Sequence, residues 1–470
     1  MTTQPIGAGG EEWLAMDETT GYNPQAEAET IHSAAARIPQ IRQRDVSLRL
    51  VDRAGKPLAN TQVEIAQTES AFLWGHNLWS LDTAVREGRQ NHDDVRTECR
   101  MMSQLLNAMN ALHYWTERPR NDGPKSEDQL GYPTYEHLQW CVDWANGEGL
   151  TVKGHPLFWT VPKAVPDWIQ AYDNYETRLA FLEVRIRSIV NRFKGKIRIY
   201  DAINEPMWEP AFKDLPQRNW PHMTAIKDIA DYIEPVLRWA REEDPDACYL
   251  INEYGVCLDD HKPCGMPGSD GSTVTPHSQF MRYLDLMDEL RQRGAAPDAV
   301  GLQGHTGGWG NHDRDVGTYE MIQERCGLPV HITEFWAHTN HLQKAGMPED
   351  EIQARQWEYV RNCVTCAFGS EAVEAFFFWG MSKDLFKRFG NGGIEAKPLY
   401  GHLKRLLHEE WRTHTSATTD SDGQLRFRGF HGEYSLRLAQ GGKGQTCGHA
   451  FTVPVGSELL QHSLRLPHKG

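Results

Sequence analysis

Positive charge is scarce in this chain. Forty-nine Lys and Arg stand against 64 Asp and Glu over 470 residues, a formal net charge of -15. A binder of nucleic acid or of an anionic membrane surface must neutralise phosphates with Lys and Arg, so neither partner is expected. Long apolar runs are also missing, and no stretch approaches the roughly 20 residues of a membrane span. The opening MTTQPIGAGGEEWLAM has neither the basic nor the apolar region of a leader. The expectation is a cytoplasmic chain as given, or a secreted one if a leader has been removed. The nine cysteines follow no zinc-site spacing: Cys363 and Cys366 form a CxxC inside a helical pattern with no second pair to match. Cys257 and Cys264 share a loop and could be bridged only in an oxidising compartment. An HxH pair, which a metal-dependent barrel hydrolase would show on a strand end, is lacking as well. No metal or cofactor is expected.

Tryptophan, by contrast, is abundant. Sixteen indoles suit either a large core or the stacking platforms on which proteins hold sugars. The chain also repeats one pattern. Apolar runs of strand length occur at 71–79, 109–115, 151–159, 197–205, 248–255, 299–307, 328–335 and 374–382. Amphipathic stretches such as 135–149, 177–193 and 226–243 lie between them. Apolar strands alternating with helices predict a parallel sheet covered on its faces, and eight such units predict a closed (β/α)8 barrel. The helix-to-strand links are short and the strand-to-helix links long, as at 205–223 and 256–276. In this architecture the long links build an active face.

Two segments fall outside that pattern. Residues 46–69 alternate polar and apolar around an AGKP turn and read as a hairpin. After Trp411, strand-like pieces are divided by DG, GG and GS turns. The expected organisation is an irregular arm at 1–43, a hairpin at 44–69, the barrel at 70–411, and a C-terminal segment at 412–470. The hairpin and the C-terminal segment are expected to form a small antiparallel accessory β domain.

Chemistry is read from the ends of two strands. IYDAINEPMW (199–208) is an apolar run that stops at Asn204, Glu205 and Pro206. PVHITEFW (329–336) likewise ends on Glu334 and aromatics. Strands four and seven of one barrel would therefore each present a glutamate on the same rim. Two carboxylates across a cleft are what glycosidic bond cleavage requires: a protonated acid for the leaving oxygen, and a carboxylate to attack the anomeric carbon or activate water.

These residues resemble glycoside hydrolase family 10, the xylanase-type (β/α)8 barrels. NEP (204–206) resembles that family's acid/base motif and TEF (333–335) its nucleophile motif. GHPLFW (154–159), LQGH (302–305) and FWG (378–380) are similar to its third-, sixth- and eighth-strand motifs. The five motifs run in register over residues 70–411. The resemblance implies a retaining β-glycosidase, endo-β-1,4-xylanase-like, acting on an oligo- or polysaccharide. It implies Glu205 as general acid/base, Glu334 as nucleophile, and Asn204 on the 2-hydroxyl of the sugar at the cleavage point. His305 would orient Glu334, His155 would touch sugar hydroxyls, and Trp379 would form the floor beneath that sugar. Trp115, Trp159, Tyr254 and Trp336 are further substrate-binding candidates, with Trp208 and Trp309 clustered beside them. Glu253 matches the family's fifth-strand Asp and is read as a supporting acid. His76, His113 and His331 read as hydrogen-bonded core residues.

One stretch departs from the family. Its second strand usually carries a Glu, an Asn and a Lys that grip sugars on the non-reducing side. Here Asn110, Ala111 and Tyr114 stand in those places. That departure keeps open a β-glycosidase of the same clan acting on another glycan or on a plant glycoside. A non-catalytic sugar-binding barrel is the alternative of a different class; it would be expected to have lost Glu205 or Glu334.

Overall fold

The computed structural model of the chain describes residues 23–116, 125–127, 129–207, 212–213, 224–256, 266–267, 273–274, 276–305, 311–390, 392–438 and 448–466. Trp208, Trp309, Cys257 and Cys264 lie outside the described residues.

Eight parallel strands close into a barrel: Leu73–Asn77, Ala108–Leu112, Thr151–His155 with its extension Phe158–Trp159, Ile199–Asn204, Cys248–Glu253, Ala299–Leu302, Val330–Phe335 and Val373–Phe378. Closure comes from the eighth strand pairing with the first, Ala375 opposite Leu73 and Phe378 opposite His76. All six residues of the fourth strand and all six of the seventh are buried. This is why both read as continuous apolar runs rather than alternating ones. Helices Tyr175–Arg192 and Ile226–Glu243 cover the fourth and fifth strands and bury Leu182, Ile186, Ile189, Ile229, Ile233 and Val236. The Asn174 side chain caps the first of these by accepting from the Thr177 amide at 2.9 Å, which satisfies one of the helix's orphan N–H groups. Among the described residues no helix is long and apolar enough to cross a membrane.

The expected irregular arm is corrected for the part described. Pro24–Ile41 is a helix, started by Pro at its first turn and by the Asn23 side chain, which accepts from the Gln25 and Ala26 amides. A polar, Ala-rich helix of this kind gains its stability from what it packs against. Gly369 lets the helix approach: a Cβ there would lie 2.3 Å from the Ala34 carbonyl oxygen. Arg42 then donates to the carbonyls of Phe368, Ser370 and Val373 at 2.8, 2.6 and 2.6 Å.

The hairpin is also corrected. Gln43–Val51 and Gln62–Ser70 do not pair with each other; they enter two different sheets. Gln43–Val51 lies between Gln424–Phe430 (antiparallel) and Leu460–Arg465 (parallel), so one pairing of the accessory domain is not antiparallel. Gln62–Ser70 lies between His414–Thr418 and Gly432–Leu438, and the latter also pairs with His449–Val453, all antiparallel. Val46, Leu48 and Leu50 from one sheet and Val63, Ile65, Leu436 and Val453 from the other share a single core. Each strand has one apolar face. A lone hairpin would leave that face wet, whereas two facing sheets bury both.

Candidate active site

The alternation of a β-strand cannot by itself aim a strand-end glutamate at a neighbouring one. Register shifts do so here. The pairing of strands four and five slips between Asp201 and Ile203, and that of strands seven and eight slips between Ile332 and Phe335. The first slip ends two residues before Glu205 and the second spans Glu334, and a bulge re-aims side chains at such points. Glu205 adds a further turn. Its φ is +55°, a left-handed conformation that non-glycine residues rarely hold and that a following proline further disfavours. Its amide still donates to the Asn252 carbonyl at 2.8 Å, so the ladder continues for one bond before Pro206 ends it.

Glu205 and Glu334 are joined by three buried amides. Gln303 Nε2 donates to Glu205 Oε1 at 2.9 Å and lies 3.3 Å from Asn204 Oδ1. Asn252 Nδ2 donates to Asn204 Oδ1 at 2.9 Å and to Glu334 Oε1 at 2.8 Å. Thr333 Oγ1 in turn donates to Asn252 Oδ1. The two carboxyls therefore share one face of the barrel and one hydrogen-bonded frame.

Their surroundings push them in opposite directions. Burial is the main cause that raises the Glu205 pKa above the ordinary carboxyl value, and the nearby Glu334 charge adds to it. The Gln303 bond, Lys163 and the Trp159 N–H, which donates to Glu205 Oε2 at 2.9 Å, act against the rise. At Glu334 burial also works upward, but His155 and His305 outweigh it and the net shift is downward. His305 Nε2 lies 3.0 Å from Glu334 Oε2, and His155 Nδ1 lies 3.7 Å from Oε1. One carboxyl is thus favoured as the acid and its neighbour as the anion.

Beneath His155 lies a buried chain of charge. His155 Nδ1 is 2.7 Å from Asp201 Oδ2, and Lys153 bonds the same oxygen. Burial raises the Asp201 pKa, but Lys153 and then His155 outweigh it, so the shift is downward. His155, Asp201 and Glu334 bring ligand atoms within 4.8 Å of one another, a set able to hold a cation. The Lys153 ammonium already supplies positive charge at that point.

The sequence-derived residues divide as follows. Glu205, Glu334, Asn204, His155, His305 and Trp159 come together around one point. Trp379 packs edge-on against His155 with ring centroids 5.1 Å apart. Trp336 is half-buried beside Gly380, and Tyr254 is half-buried with its amide donating to Glu253 Oε1 at 2.9 Å. Trp115 is corrected. Only 3% exposed, it packs edge-on to Phe158 and Trp168 under the Arg185 guanidinium, and its N–H donates to Glu127 at 3.1 Å. Tyr114, just past the end of the second strand, lies edge-on to His155 with ring centroids 5.6 Å apart, whereas the next ring, Trp115, is enclosed by Phe158, Trp168 and Arg185. Glu253 is fully buried, and its Oε2 accepts from the Met207 amide at 2.9 Å, tying down the turn that carries Glu205. Burial holds its pKa well above the usual range. His76, His113 and His331 are buried, but both ring nitrogens of His113, Nε2 of His76 and Nδ1 of His331 lack a hydrogen-bond partner among the described residues. Sequence reasoning missed Asn252, Gln303, Asp201 and Lys153. The usable signal was polar residues at inward positions of otherwise apolar strands, as in INEY, LQGH, IYDAIN and TVKGH.

A parallel eight-stranded barrel with two oppositely tuned glutamates on the ends of strands four and seven has the architecture of a clan of glycoside hydrolases. The family model described as glycosyl hydrolase family 10 matches residues 83–385, and the chain belongs to that family. It is 27% identical over 456 residues to the anti-sigma-I factor RsgI6 of Acetivibrio thermocellus, covering 94% of this chain and 51% of that one. It is 24% identical over 409 residues to endo-1,4-beta-xylanase 1 of Arabidopsis thaliana, covering 85% and 37%. The chain therefore spans about half or less of the length of these curated relatives. Among solved structures, xylanase 10B from Thermotoga petrophila in complex with xylobiose superposes with a TM-score of 0.51 at 21% identity, over 72% of this chain and 95% of that one. That likeness shows the shared barrel fold.

Proposed function

We propose that the chain is a retaining β-glycosidase of the endo-1,4-β-xylanase type. The observation that carries this reading is the opposite tuning of Glu205 and Glu334 within one amide frame. Glu334, held as the anion, attacks the anomeric carbon while the bond from that carbon to the leaving sugar's oxygen breaks. Glu205 gives its proton to that oxygen. Once ionised, Glu205 takes a proton from water, whose oxygen displaces the Glu334 carboxylate from the anomeric carbon. In this reading Asn204 bonds the 2-hydroxyl and Trp379 forms the floor; the Asn252 bond that holds the Asn204 side chain supports it. Membership of family 10 and the xylanase among the relatives support a β-1,4-xylan-type substrate.

A second substrate reading within the same chemistry is favoured by the second strand. Asn110 is fully buried and Trp115 faces the core, so neither is available to grip a distal sugar. Another β-linked glycan, or a plant glycoside, is consistent with that change.

Truncation tests the roles. Glu334→Ala should lose several orders of magnitude on every substrate. Glu205→Ala should fail on substrates with poor leaving groups and retain activity on activated aryl glycosides, and azide should rescue it to a β-glycosyl azide. Equal losses on both substrate types with no rescue overturn the assignment.

A further inference from the structure

Beside the catalytic carboxyls, a groove of about 590 Å³ runs between the loops that follow strands one, seven and eight. Asn77, Trp79, Trp336, Trp379, Lys383 and Arg388 line it. Trp379 links the groove to the reaction point, because its ring packs on His155 and His155 lies 3.7 Å from Glu334. Indole walls of this kind suit sugar rings. The cations do not follow from a neutral glycan, and they stand in a chain of net charge -15. Arg388 is already matched, by Glu98 and by Asp94 at 3.5 Å. Lys383 is different. Its Nζ lies 4.9 Å from the centre of the Trp336 ring, and among the described residues no carboxylate lies within ion-pair distance of it. Asp384, the adjacent acid, accepts from Gln356 at 3.1 Å.

From this arrangement, and resting on the glycosidase reading above, we propose that Lys383 and the Trp336 wall form a subsite for an acidic sugar, the lysine pairing with the carboxylate of a uronic acid unit. An ammonium over an indole is held in place by the ring's negative face while its remaining N–H groups point to solvent. A sugar that stacks in the groove brings its carboxylate to a cation already oriented, and the resulting bond is charge-assisted. The carboxylate could belong to a uronic branch on a neutral main chain or to a uronic unit in the main chain itself; both present the same chemistry.

The test compares kcat/KM on a neutral β-1,4-xylo-oligosaccharide, on the same chain bearing one glucuronic acid branch, and on a linear β-1,4-oligouronide. In the wild type at least one acidic substrate should be preferred over the neutral one, and which one identifies the source of the carboxylate. In Lys383→Met the acidic-to-neutral ratio should fall roughly tenfold. Lys383→Arg should restore most of it, and rising salt should shrink the wild-type preference. Because the readout is a ratio within one enzyme, partial loss of folded protein does not mimic the effect. A neutral substrate cleaved normally, with the ratio unmoved in Lys383→Met, overturns the acidic subsite and leaves the glycosidase reading standing. Failure to cleave any of the three overturns both.

Discussion

Replacing Gln303 by Met removes one donor from Glu205 while keeping the volume of a side chain that is 2% exposed. Apart from burial, this bond has the largest influence on the Glu205 carboxyl, and it favours the ionised form. A hydrogen bond to a charged group contributes about 1.5–3 kcal/mol, and the protonated carboxyl keeps only part of it. Taking the difference between the two forms as about 1.4 kcal/mol, losing the donor raises the Glu205 pKa further, by roughly one unit. If Glu205 must be protonated to act, the alkaline limb of kcat/KM should move up by about that amount. The acid limb, set by Glu334, should stay, because the frame reaches that carboxyl through Asn252 rather than through Gln303. Asn204 keeps its bond from Asn252, so binding at the cleavage point is largely preserved. The assay is a pH profile of kcat/KM on an aryl glycoside with a poor leaving group, from about pH 4 to pH 9. An alkaline limb that stays or falls, or an acid limb that moves instead, refutes the assignment of Glu205 as the acid.

Three further outcomes follow, two from the tuning of the glutamates and one from the second strand. Glu205→Gln should raise the melting temperature most at neutral and higher pH. A raised folded pKa means stability is lost as pH climbs from the ordinary carboxyl value through the raised one, so the advantage should vanish below the ordinary value. Glu334→Gln should do the reverse: its lowered pKa stabilises the fold above the ordinary carboxyl value, and that contribution disappears as pH falls through the lowered one; thermal melts across pH check both. On linear xylo-oligosaccharides of increasing length, kcat/KM should rise little as sugars are added on the non-reducing side, since Asn110, Ala111 and Tyr114 replace the usual polar grip. A steep rise would show that other residues supply it.

The barrel was legible in the sequence because its cause is local. A strand buried on both faces must be apolar throughout, and a helix covering it must be apolar on one stripe, so eight repeats of the pair carry their own signature. Glu205 and Glu334 were legible for the related reason that a carboxylate at the end of such a run contradicts its surroundings. Pairing between distant segments was not legible. Gln43–Val51 and Gln62–Ser70 look like hairpin arms from their alternation alone, and only the partners at 414–466 determine that they occupy opposite sheets. Trp115 likewise reads as a sugar platform until the direction of its side chain is known, because stacking on a sugar and packing in a core ask for the same residue. The division of labour between the two glutamates depended most on tertiary structure. It arises from burial and the Glu334 charge at Glu205, and at Glu334 from two histidines that lie 3.0 and 3.7 Å away, although His305 is 29 positions distant in the chain and His155 belongs to the third strand.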